Sequence, residues 1–263
     1  MFGIVRTRIQ QKYRTMSWPA GRFGKKPPEL PARFAGRPVV DSSRCGDAGK
    51  CAAACIAPCP TGAVCMAPDA SGLQIDTGRC LFCRACERAC PHGSIRFGRE
   101  YRLSAARRED LIVRDGSPAV ADGRNELAAK VLRRSLKLRQ VSAGGCNACE
   151  ADCNVLGTPA WDMGRFGIQF VASPRHADGL LVTGVVSENM REALLKTYAA
   201  VPGPKVVIAV GACAMAGGPY IDHAEQHNGV ASIIPVDLFI PGCPPHPLTI
   251  LDGLLTMLGR IER

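Results

Sequence analysis

The sequence predicts two domains of different class: an α+β domain rich in cysteine, followed by an α/β domain with an open parallel sheet. Two observations predict this division. A cysteine motif occurs twice in the first half, and in the second half short apolar runs alternate with helical patterns, as in sheets covered by helices. A length of 263 residues suits two domains, each with its own core.

The more regular cysteine motif runs from Cys80 to Pro91 and has the spacing C-x2-C-x2-C-x3-C-P. This is the bacterial pattern for [4Fe-4S] clusters, in which the first three cysteines bind one cluster and the fourth binds another. Structural zinc is the alternative, but zinc sites usually contain two separated C-x2-C pairs. The motif therefore predicts iron–sulfur clusters, and it requires a partner motif elsewhere in the chain.

A partner motif precedes it. Both motifs end with a cysteine, three residues and a Cys-Pro pair, and both continue with a small and then a β-branched residue. The repeat predicts a two-cluster ferredoxin domain with crossed ligation, because the last cysteine of each motif binds the cluster of the other. Cluster 1 is then bound by Cys45, Cys51, Cys55 and Cys90, and cluster 2 by Cys59, Cys80, Cys83 and Cys86.

The first motif departs from the usual spacing. Five residues separate Cys45 from Cys51 and three separate Cys51 from Cys55, where two are usual in each case. The ligand set of cluster 1 is therefore less regular than that of cluster 2. Cys65 lies nearby in the sequence, and it either replaces one of these ligands or stays unligated and partly buried.

The number of cysteines bears on the cellular compartment. Fourteen cysteines would indicate disulfides in a secreted chain. Residues 1–20 contain neither the apolar segment nor the cleavage pattern of a signal peptide. We therefore expect a reducing compartment, where thiols remain free to bind metal. No uncharged apolar run of the sequence reaches transmembrane length.

The first 40 residues are basic, with nine Arg and Lys against one acidic residue, Glu29. Within residues 1–16, apolar side chains recur at helical spacing between basic ones, which predicts a short amphipathic helix. Such a helix lies either on a membrane surface or membrane subunit, or on the core of the protein itself. Residues 18–40 are rich in Pro and Gly, so we expect an extended linker.

The two halves are expected to meet near residues 120–140. Residues 100–125 are charged and contain a turn signal at Asp115-Gly116, and the pattern of Glu126–Leu138 predicts a helix. The expected division is a basic segment with its linker over 1–40, the two-cluster domain over 41–120, a connecting helix over 121–140 and the second domain over 141–263.

Apolar runs of the second half have the composition of buried parallel strands. The predicted strands are Gly167–Val171, Gly179–Thr183 and Lys205–Val210, and the predicted helices are Asn189–Ala200, with Ser187 as N-cap, and Pro247–Ile261. Their alternation predicts an α/β domain with a flavodoxin-like open parallel sheet. Such a sheet places its ligands at the carboxyl ends of the strands.

Cysteines follow the predicted strands of this sheet. Cys146 and Cys149 lie in a glycine-flanked loop, and Cys213 and Cys243 each follow an apolar run and a glycine. A glycine beside a cysteine allows backbone N–H groups to approach the sulfur closely. These four residues predict a third [4Fe-4S] cluster rather than zinc, because the neighbouring motifs already form an electron path. Cys153 is expected not to be a ligand.

Several segments carry a family resemblance: Trp161–Gly167, Ala172–Arg175, Gly211–Ala214, Ile234–Asp237 and Pro241–Pro245. Through them, residues 139–263 resemble the small iron–sulfur subunit, the 20 kDa subunit family, shared by respiratory complex I and membrane-bound, energy-converting [NiFe]-hydrogenases. Residues 30–115 resemble the ferredoxin-like subunit of the same complexes, including Arg33–Pro38 ahead of the first motif. The two subunits are usually separate chains, and here they look fused.

The first cysteine loop distinguishes branches of this family. The complex I subunit has two adjacent cysteines there, whereas Cys146-x2-Cys149 is similar to the hydrogenase branch, as in formate hydrogenlyase. Three positions after the second cysteine the family usually has Glu, and this chain has Asp152, with Glu150 nearby. These acids either transfer protons towards a partner's active site or pair locally.

The resemblance implies an electron-transfer subunit of an oxidoreductase complex, with three [4Fe-4S] clusters, no zinc or nickel site and no catalytic residue of its own. It implies as partners a large catalytic subunit of the [NiFe]-hydrogenase type, integral membrane subunits and a redox protein that donates or accepts electrons. The implied location is peripheral, on the cytoplasmic face of the inner membrane.

Two other functions remain open at this point. The first is the same electron-transfer role in another complex, which is either a quinone-reducing relative of complex I or a hydrogenase-related complex without nickel. The basic N-terminus also suggests a regulatory iron–sulfur protein that binds nucleic acid. We expect no nucleic-acid partner, because basic and aromatic residues do not interleave and no reading motif is present.

Overall fold

The computed structural model describes residues 2–11, 15–16, 18, 30–45, 53–69, 72–118 and 120–261. Cys51 and residues 19–29 of the predicted linker lie outside these residues. The predicted N-terminal helix is confirmed as α1, Phe2–Gln11. Its apolar side chains Ile4, Val5 and Ile9 are exposed.

The first half is built from short strands around the cysteine motifs. These strands are β1 Pro38–Val40, β2 Val64–Met66, β3 Leu73–Asp76, β4 Ile95–Phe97 and β5 Ile112–Val113. Strand β1 pairs antiparallel with β4, and β3 lies between β2 and β5 in a second antiparallel sheet. A short helix, α2 Ala85–Ala89, carries Cys86 and follows the two preceding cysteines of its motif.

The second half contains a five-stranded parallel sheet, as the sequence predicts. Its strands are β6 Leu136–Ser142, β7 Ile168–Phe170, β8 Gly179–Thr183, β9 Val206–Val210 and β10 Leu238–Ile240. The order across the sheet is β10-β9-β8-β6-β7, and every pair is parallel. This is the flavodoxin-like order, with the topological switch point between β6 and β8.

Helices cover both faces of this sheet. They are α3 Glu126–Val131, α4 Ala148–Val155, α5 Glu188–Ala200, α6 Ala212–Ala216 and α7 Pro247–Met257. In β8, Leu181 packs with α4 and α7, whereas Leu180 and Val182 pack with α5 on the other face. Side chains alternate along a strand, so a fully apolar strand is buried on both sides.

Three predicted boundaries differ in the structure. The helix predicted for Glu126–Leu138 ends at Val131, and β6 begins at Leu136, because Leu136 and Leu138 alternate with exposed Lys137 at strand period. The C-terminal helix ends at Met257 rather than at Ile261. Strand β1 occupies the last three residues of the predicted linker.

Ser187 is the N-cap residue of α5, as predicted, but its side chain makes no capping hydrogen bond. The charged segment 100–125 contains a 3-10 turn at Arg108–Leu111 and strand β5, which the sequence did not predict. Among the described residues, no helix is long and apolar enough to cross a bilayer.

The two halves are joined at the edge of the parallel sheet. Ala105 and Phe239 exchange two backbone hydrogen bonds, 3.0 and 2.9 Å long, which extends the sheet beyond β10 by one antiparallel bridge. The rings of Trp18 and Tyr101 meet edge to face with centroids 5.9 Å apart. The first half therefore covers the exposed edge strand of the second.

Candidate metal centres

The described cysteines gather in three groups. The Cys80 group comprises Cys59, Cys80, Cys83 and Cys86, the Cys90 group comprises Cys45, Cys55 and Cys90, and the Cys149 group comprises Cys146, Cys149, Cys213 and Cys243. Cys51 of the first motif lies outside the described residues. The members of each group are related by the burial of their thiols, by their hydrogen bonds and by the effect of each thiol's charge on the pKa of its neighbours.

The Cys80 group brings the last cysteine of the first motif to the first three cysteines of the second. Burial raises the pKa of Cys80 to about 12, and the charges of Cys86, Cys59 and Cys83 add to this effect. Burial likewise raises the pKa of Cys86 to about 11, with contributions from Cys59 and Cys83. The four thiols thus lie within electrostatic range of one another in a partly dry site.

The Cys-Pro turns that end the two motifs have the same hydrogen-bonding pattern. The backbone N–H of Ala63 donates to Cys59 Sγ over 3.2 Å, and that of Ser94 donates to Cys90 Sγ over 3.2 Å. In each turn the residue before the donor is a glycine with positive φ, Gly62 or Gly93. The internal repeat seen in the sequence therefore extends to the backbone around each sulfur.

These turns favour thiolates. Burial opposes the ionisation of Cys59, but backbone N–H groups of Thr61, Val64 and Ala63 hold its pKa below the ordinary value. Burial is similarly outweighed at Cys90, where N–H groups of Ser94, His92 and Ile95 lower the pKa. A lower thiol pKa favours metal binding, because the thiolate is the form that binds metal.

Ser94 connects two members of the Cys90 group. The thiol of Cys45 donates to Ser94 Oγ over 3.4 Å, while the N–H of Ser94 bonds to Cys90 Sγ. Cys55 is buried in the apolar cluster against which Cys45 and Cys90 pack, and the same cluster includes Cys59, Cys80 and Cys86 of the neighbouring group. Three of the four predicted ligands of cluster 1 therefore share one region. The role of Ser94 was not anticipated, although a small residue at this place in both repeats was visible in the sequence.

The Cys149 group lies at the carboxyl ends of the parallel strands. Cys146 follows β6, Cys149 stands on the first turn of α4, Cys213 is on α6 after β9, and Cys243 follows β10. Burial, and then the charges of neighbouring groups that include Cys213 and Cys243, raise the pKa of Cys149. Burial raises the pKa of Cys213 to about 11, with Cys243 and Cys146 adding to it.

Glycines form a cradle around two of these sulfurs. A Cβ at Gly211, whose φ is +89°, would lie 2.5 Å from Cys149 Sγ. A Cβ at Gly218 would lie 2.6 Å from Cys213 Sγ. Only glycine permits such an approach of the backbone, so both positions are built around the sulfur atoms. The sequence predicted that Gly211 serves Cys213, which follows it closely in the chain, but Gly211 lies against Cys149 Sγ instead. The glycine that lies against Cys213 Sγ is Gly218, five residues beyond that cysteine, and it was missed.

Glu150 is tied to the sheet beside the Cys149 group. It is 6% exposed, and its Oε1 accepts hydrogen bonds of 2.6 Å from Ser142 Oγ and 2.6 Å from Thr183 Oγ1. Burial opposes its ionisation, but these two hydroxyls hold the pKa of Glu150 below its ordinary value. The carboxylate thus fastens the first turn of α4 to the ends of β6 and β8 at the switch point.

Asp152 has a different environment. It is half-buried, and burial raises its pKa. Together with Phe82 and Cys243 it lines a cleft of about 470 Å³ between the two halves of the chain. Of the two acids that the sequence singled out, Glu150 therefore has hydroxyl partners, whereas Asp152 faces the junction.

Two cysteines lie outside the groups. Cys65 is on β2, where its sulfur accepts a hydrogen bond of 3.3 Å from Gln74 Nε2. Cys153 lies on α4 and is fully buried, and burial raises its pKa to about 12, with the charges of Glu150 and Asp152 adding to it. The charge of Cys153 also contributes to the raised pKa of Cys149, one turn earlier on the same helix.

The Cys80 group and the Cys149 group lie on either side of the cleft at the junction, since Phe82, next to Cys83, and Cys243 both line it. Partial burial raises the pKa of Cys243, and the charges of Cys146 and Cys83 raise it further. Cys83 belongs to the first half of the chain and Cys243 to the second. The loop before α2 therefore faces the loop after β10.

The donor sets fit iron–sulfur clusters. Four thiols are what a [4Fe-4S] cluster requires, and N–H groups and glycines beside the sulfurs suit a group that occupies the space between them. Within the described ranges, no three His, Cys, Asp or Glu side chains are close enough to bind one metal ion. A cluster holds its ligands farther apart than a single ion does.

Comparisons with known proteins identify the family of the second half. The model of the NADH ubiquinone oxidoreductase 20 kDa subunit family matches residues 146–257, and a 4Fe-4S binding domain matches residues 73–96. A probable membrane-bound hydrogenase subunit of Pyrococcus furiosus is 41% identical over 134 residues, which are 51% of this chain and 80% of that protein. The chain belongs to the 20 kDa subunit family.

Other relatives come from two kinds of complex. Formate hydrogenlyase subunit 7 of Escherichia coli is 43% identical over 134 residues, or 51% of this chain and 52% of that protein. An NADH-quinone oxidoreductase subunit of Rubrobacter xylanophilus is 42% identical over 120 residues, or 45% of this chain and 48% of that protein. The chain thus spans about half the length of these two relatives.

One solved structure is also similar. A chain of the membrane-bound sulfane sulfur reductase, an archaeal respiratory membrane complex, is 34% identical, with 51% of this chain and 73% of that chain covered and a TM-score of 0.44.

Proposed function

We propose that this chain is the electron-transfer subunit of a membrane-bound, [NiFe]-hydrogenase-type complex, in which three [4Fe-4S] clusters relay electrons to or from a large catalytic subunit. A [4Fe-4S] cluster supplies one-electron transfer when it is bound. The observation that carries the proposal is the cleft at the junction of the two halves, which is lined by Phe82 of the ferredoxin-like half and by Cys243 of the family-specific half.

The ligand sets in this proposal follow the cysteine groups. Cluster 2 is held by the Cys80 group and cluster 3 by the Cys149 group. Cluster 1 is held by the Cys90 group together with Cys51. The first half is then a two-cluster ferredoxin domain over residues 41–120, and residues 141–263 form the domain of the terminal cluster.

The protein supplies the surroundings of each site. Glycines 211 and 218 let the backbone approach the sulfurs, and apolar side chains such as Phe82 exclude water beside the Cys80 group. N–H groups that point at sulfur stabilise negative charge and thereby raise a reduction potential. Glu150 holds α4, and with it Cys149, in place against the sheet.

The catalytic reaction belongs to a partner. We propose a large catalytic subunit and integral membrane subunits as neighbours, a peripheral position on the cytoplasmic face of the membrane, and a redox protein as electron donor or acceptor. The spacing Cys146-x2-Cys149 favours the hydrogenase branch. The similarity to quinone oxidoreductase subunits keeps a quinone-reducing complex as the second candidate.

The test is anaerobic purification of the chain with its complex, followed by measurement of iron, sulfide, nickel and hydrogen turnover with an artificial electron carrier. We expect about twelve iron atoms per copy of this chain beyond those of its partners. We also expect nickel in the complex and turnover of hydrogen. An intact complex without nickel or hydrogen activity that reduces a quinone would contradict the first candidate and support the second.

A further inference from the structure

A cleft lined by arginines lies at the edge of the parallel sheet opposite the Cys149 group. Its volume is about 630 Å³, and it is lined by Arg133, Arg134, Phe166, Leu255 and Arg260. Arg133 and Arg134 precede β6, and Phe166 precedes β7, so the cleft is at the amino ends of these strands. The cysteines, by contrast, are at the carboxyl ends.

The positive charge of this cleft is not balanced by described carboxylates. Burial lowers the pKa of Arg260, and the charge of Arg133 lowers it further, so these two guanidinium groups are close neighbours. Arg260 Nε donates to the backbone carbonyl of Arg133. Among the described residues, none of the three arginines has a carboxylate partner within ion-pair distance. Neighbouring guanidinium groups of this kind suit a phosphate, which accepts paired N–H donors.

The floor of the cleft is apolar. Leu255 is fully buried, and Phe166 is half-buried with the Arg165 guanidinium 4.6 Å from its ring centroid. A cleft with an apolar floor and a cationic rim matches an amphiphilic anion better than a simple ion. Basic pockets of this composition bind the headgroups of anionic lipids.

The N-terminal helix is tethered to the same side of the molecule. Arg165 donates hydrogen bonds of 2.7 Å to the carbonyl of Met16 and of 2.6 Å to that of Trp18. Since Gln11 and Met16 are five residues apart, the end of α1 lies within roughly 18 Å of this anchor. On α1, Ile4 is 78%, Val5 53% and Ile9 72% exposed. Exposed apolar and basic residues on one short helix are typical of an interfacial helix.

We propose that this face docks on a bilayer that contains anionic phospholipid, with a headgroup phosphate held in the cleft by Arg133, Arg134 and Arg260 and with α1 lying in the interface. The proposal specifies the surface behind the peripheral location proposed above, and it rests on that function only for its setting. An acidic segment of a partner protein is the competing occupant.

Lipid binding and cluster binding are separable in this geometry. Strand β6 connects the cleft to the Cys149 group, and its seven residues span about 20 Å. Changes at the arginines should therefore leave the thiol sites intact. The visible absorption and the electron paramagnetic resonance signals of the reduced protein check this directly.

The experiment uses the full chain, purified anaerobically with its clusters, and sedimentation with vesicles. We expect binding to vesicles of phosphatidylcholine with phosphatidylglycerol and little binding to phosphatidylcholine alone. The triple variant R133Q/R134Q/R260Q should bind anionic vesicles more weakly than the unchanged chain, by about tenfold. The matched control R175Q/R191Q/K196Q removes the same charge from exposed positions on the opposite side of the sheet, and it should bind within about twofold of the unchanged chain.

Three results would overturn the proposal. The first is equal weakening by both triple variants, which would mean general attraction of a basic protein. The second is absence of binding to anionic vesicles while iron content is normal. The third is release from vesicles by millimolar inorganic phosphate at constant ionic strength, which would mean a site for a soluble anion. Normal lipid binding by a chain that lacks iron would instead count against the proposed function alone.

Discussion

Phe82 and Cys243 line one cleft at the junction of the two halves, although they lie far apart in the sequence. The charge of Cys83 contributes to the raised pKa of Cys243, after burial and the charge of Cys146. The backbone pairing of Ala105 with Phe239 lies at the same junction and holds β10 against the first half. The electron path that we propose between the halves therefore crosses this junction.

The crossed ligation that we propose for the first half predicts which cysteines share a cluster. Cys59→Ala should abolish the same paramagnetic signal as Cys83→Ala, because Cys59 lies with Cys80, Cys83 and Cys86. Cys90→Ala should abolish a different signal. Electron paramagnetic resonance of the reduced protein, together with iron content, distinguishes the two outcomes.

Cys65→Ala is the control for this pair, because Cys65 bonds only to Gln74 among the contacts described for it. It should retain the full iron content. If Cys59→Ala and Cys90→Ala removed the same signal, the crossed arrangement would be wrong.

Gly211 lies against Cys149, so its replacement should affect the binding of cluster 3. Gly211→Ala should prevent binding of cluster 3, because the new Cβ would lie 2.5 Å from Cys149 Sγ in a backbone conformation with φ of +89°. Iron content should fall by about four atoms per chain, the content of one [4Fe-4S] cluster. Gly164→Ala, where the nearest atom is 3.9 Å away, should bind iron normally.

The hydroxyls around Glu150 predict an effect on stability. Thr183→Val keeps the shape of the side chain but removes a donor to a buried carboxylate. The free energy of unfolding should fall by about 1–3 kcal/mol, since a buried charged acceptor loses a partner. Denaturant unfolding under anaerobic conditions measures this change.

Thr197→Val serves as its control. The Thr197 hydroxyl donates to the carbonyl of Ala193 on the exposed side of α5, so its removal should change the free energy of unfolding by less than about 0.5 kcal/mol. Equal effects of the two substitutions would show that Glu150 does not depend on Thr183.

Because of His246, we expect the free energy of unfolding to depend on pH. Burial lowers the pKa of His246 from its ordinary value of 6.5, and the neutral ring accepts a hydrogen bond of 3.1 Å from the N–H of Leu248 at the start of α7. The unfolded chain therefore binds this proton at a higher pH than the folded chain. The stabilisation is complete above pH 6.5 and is lost as pH falls below that value towards the lower folded pKa.

Denaturant unfolding at several pH values between neutrality and mild acid tests this effect. His246→Asn keeps an acceptor at the N-cap but cannot titrate, so the difference in stability between it and the unchanged chain should vary with pH. A pH-independent difference for His246→Asn would contradict the assignment.

Local patterns predicted many of the elements correctly. The bounds of β8 were predicted residue for residue, and those of β9 to within one residue, because fully apolar runs of this length form buried strands. Strand β6 was missed, since Leu136 and Leu138 also continue the helical spacing of the preceding residues. Pairing with β7 and β8 decides between the two patterns, and that pairing is a tertiary interaction.

The cysteine groups also combine features that local spacing predicts with contacts that depend on tertiary structure. The spacing of Cys80, Cys83 and Cys86 is local, so it was readable from the chain alone. The approach of Gly218 to Cys213 depends on the turn that follows α6, and no sequence motif predicts this contact. Likewise, the partners of Glu150 are hydroxyls on two different strands, and sequence alone left its role open between proton transfer and local pairing.

The sequence by itself determined the class of both halves, the cysteines available to each site and the family to which the chain belongs, because these depend on spacing along the backbone. Only the tertiary structure decided that Phe82 and Cys243 line one cleft and that Arg133 and Arg260 share another. Such contacts depend on strand order and on the docking of the halves, and these arise from packing between residues far apart in the chain.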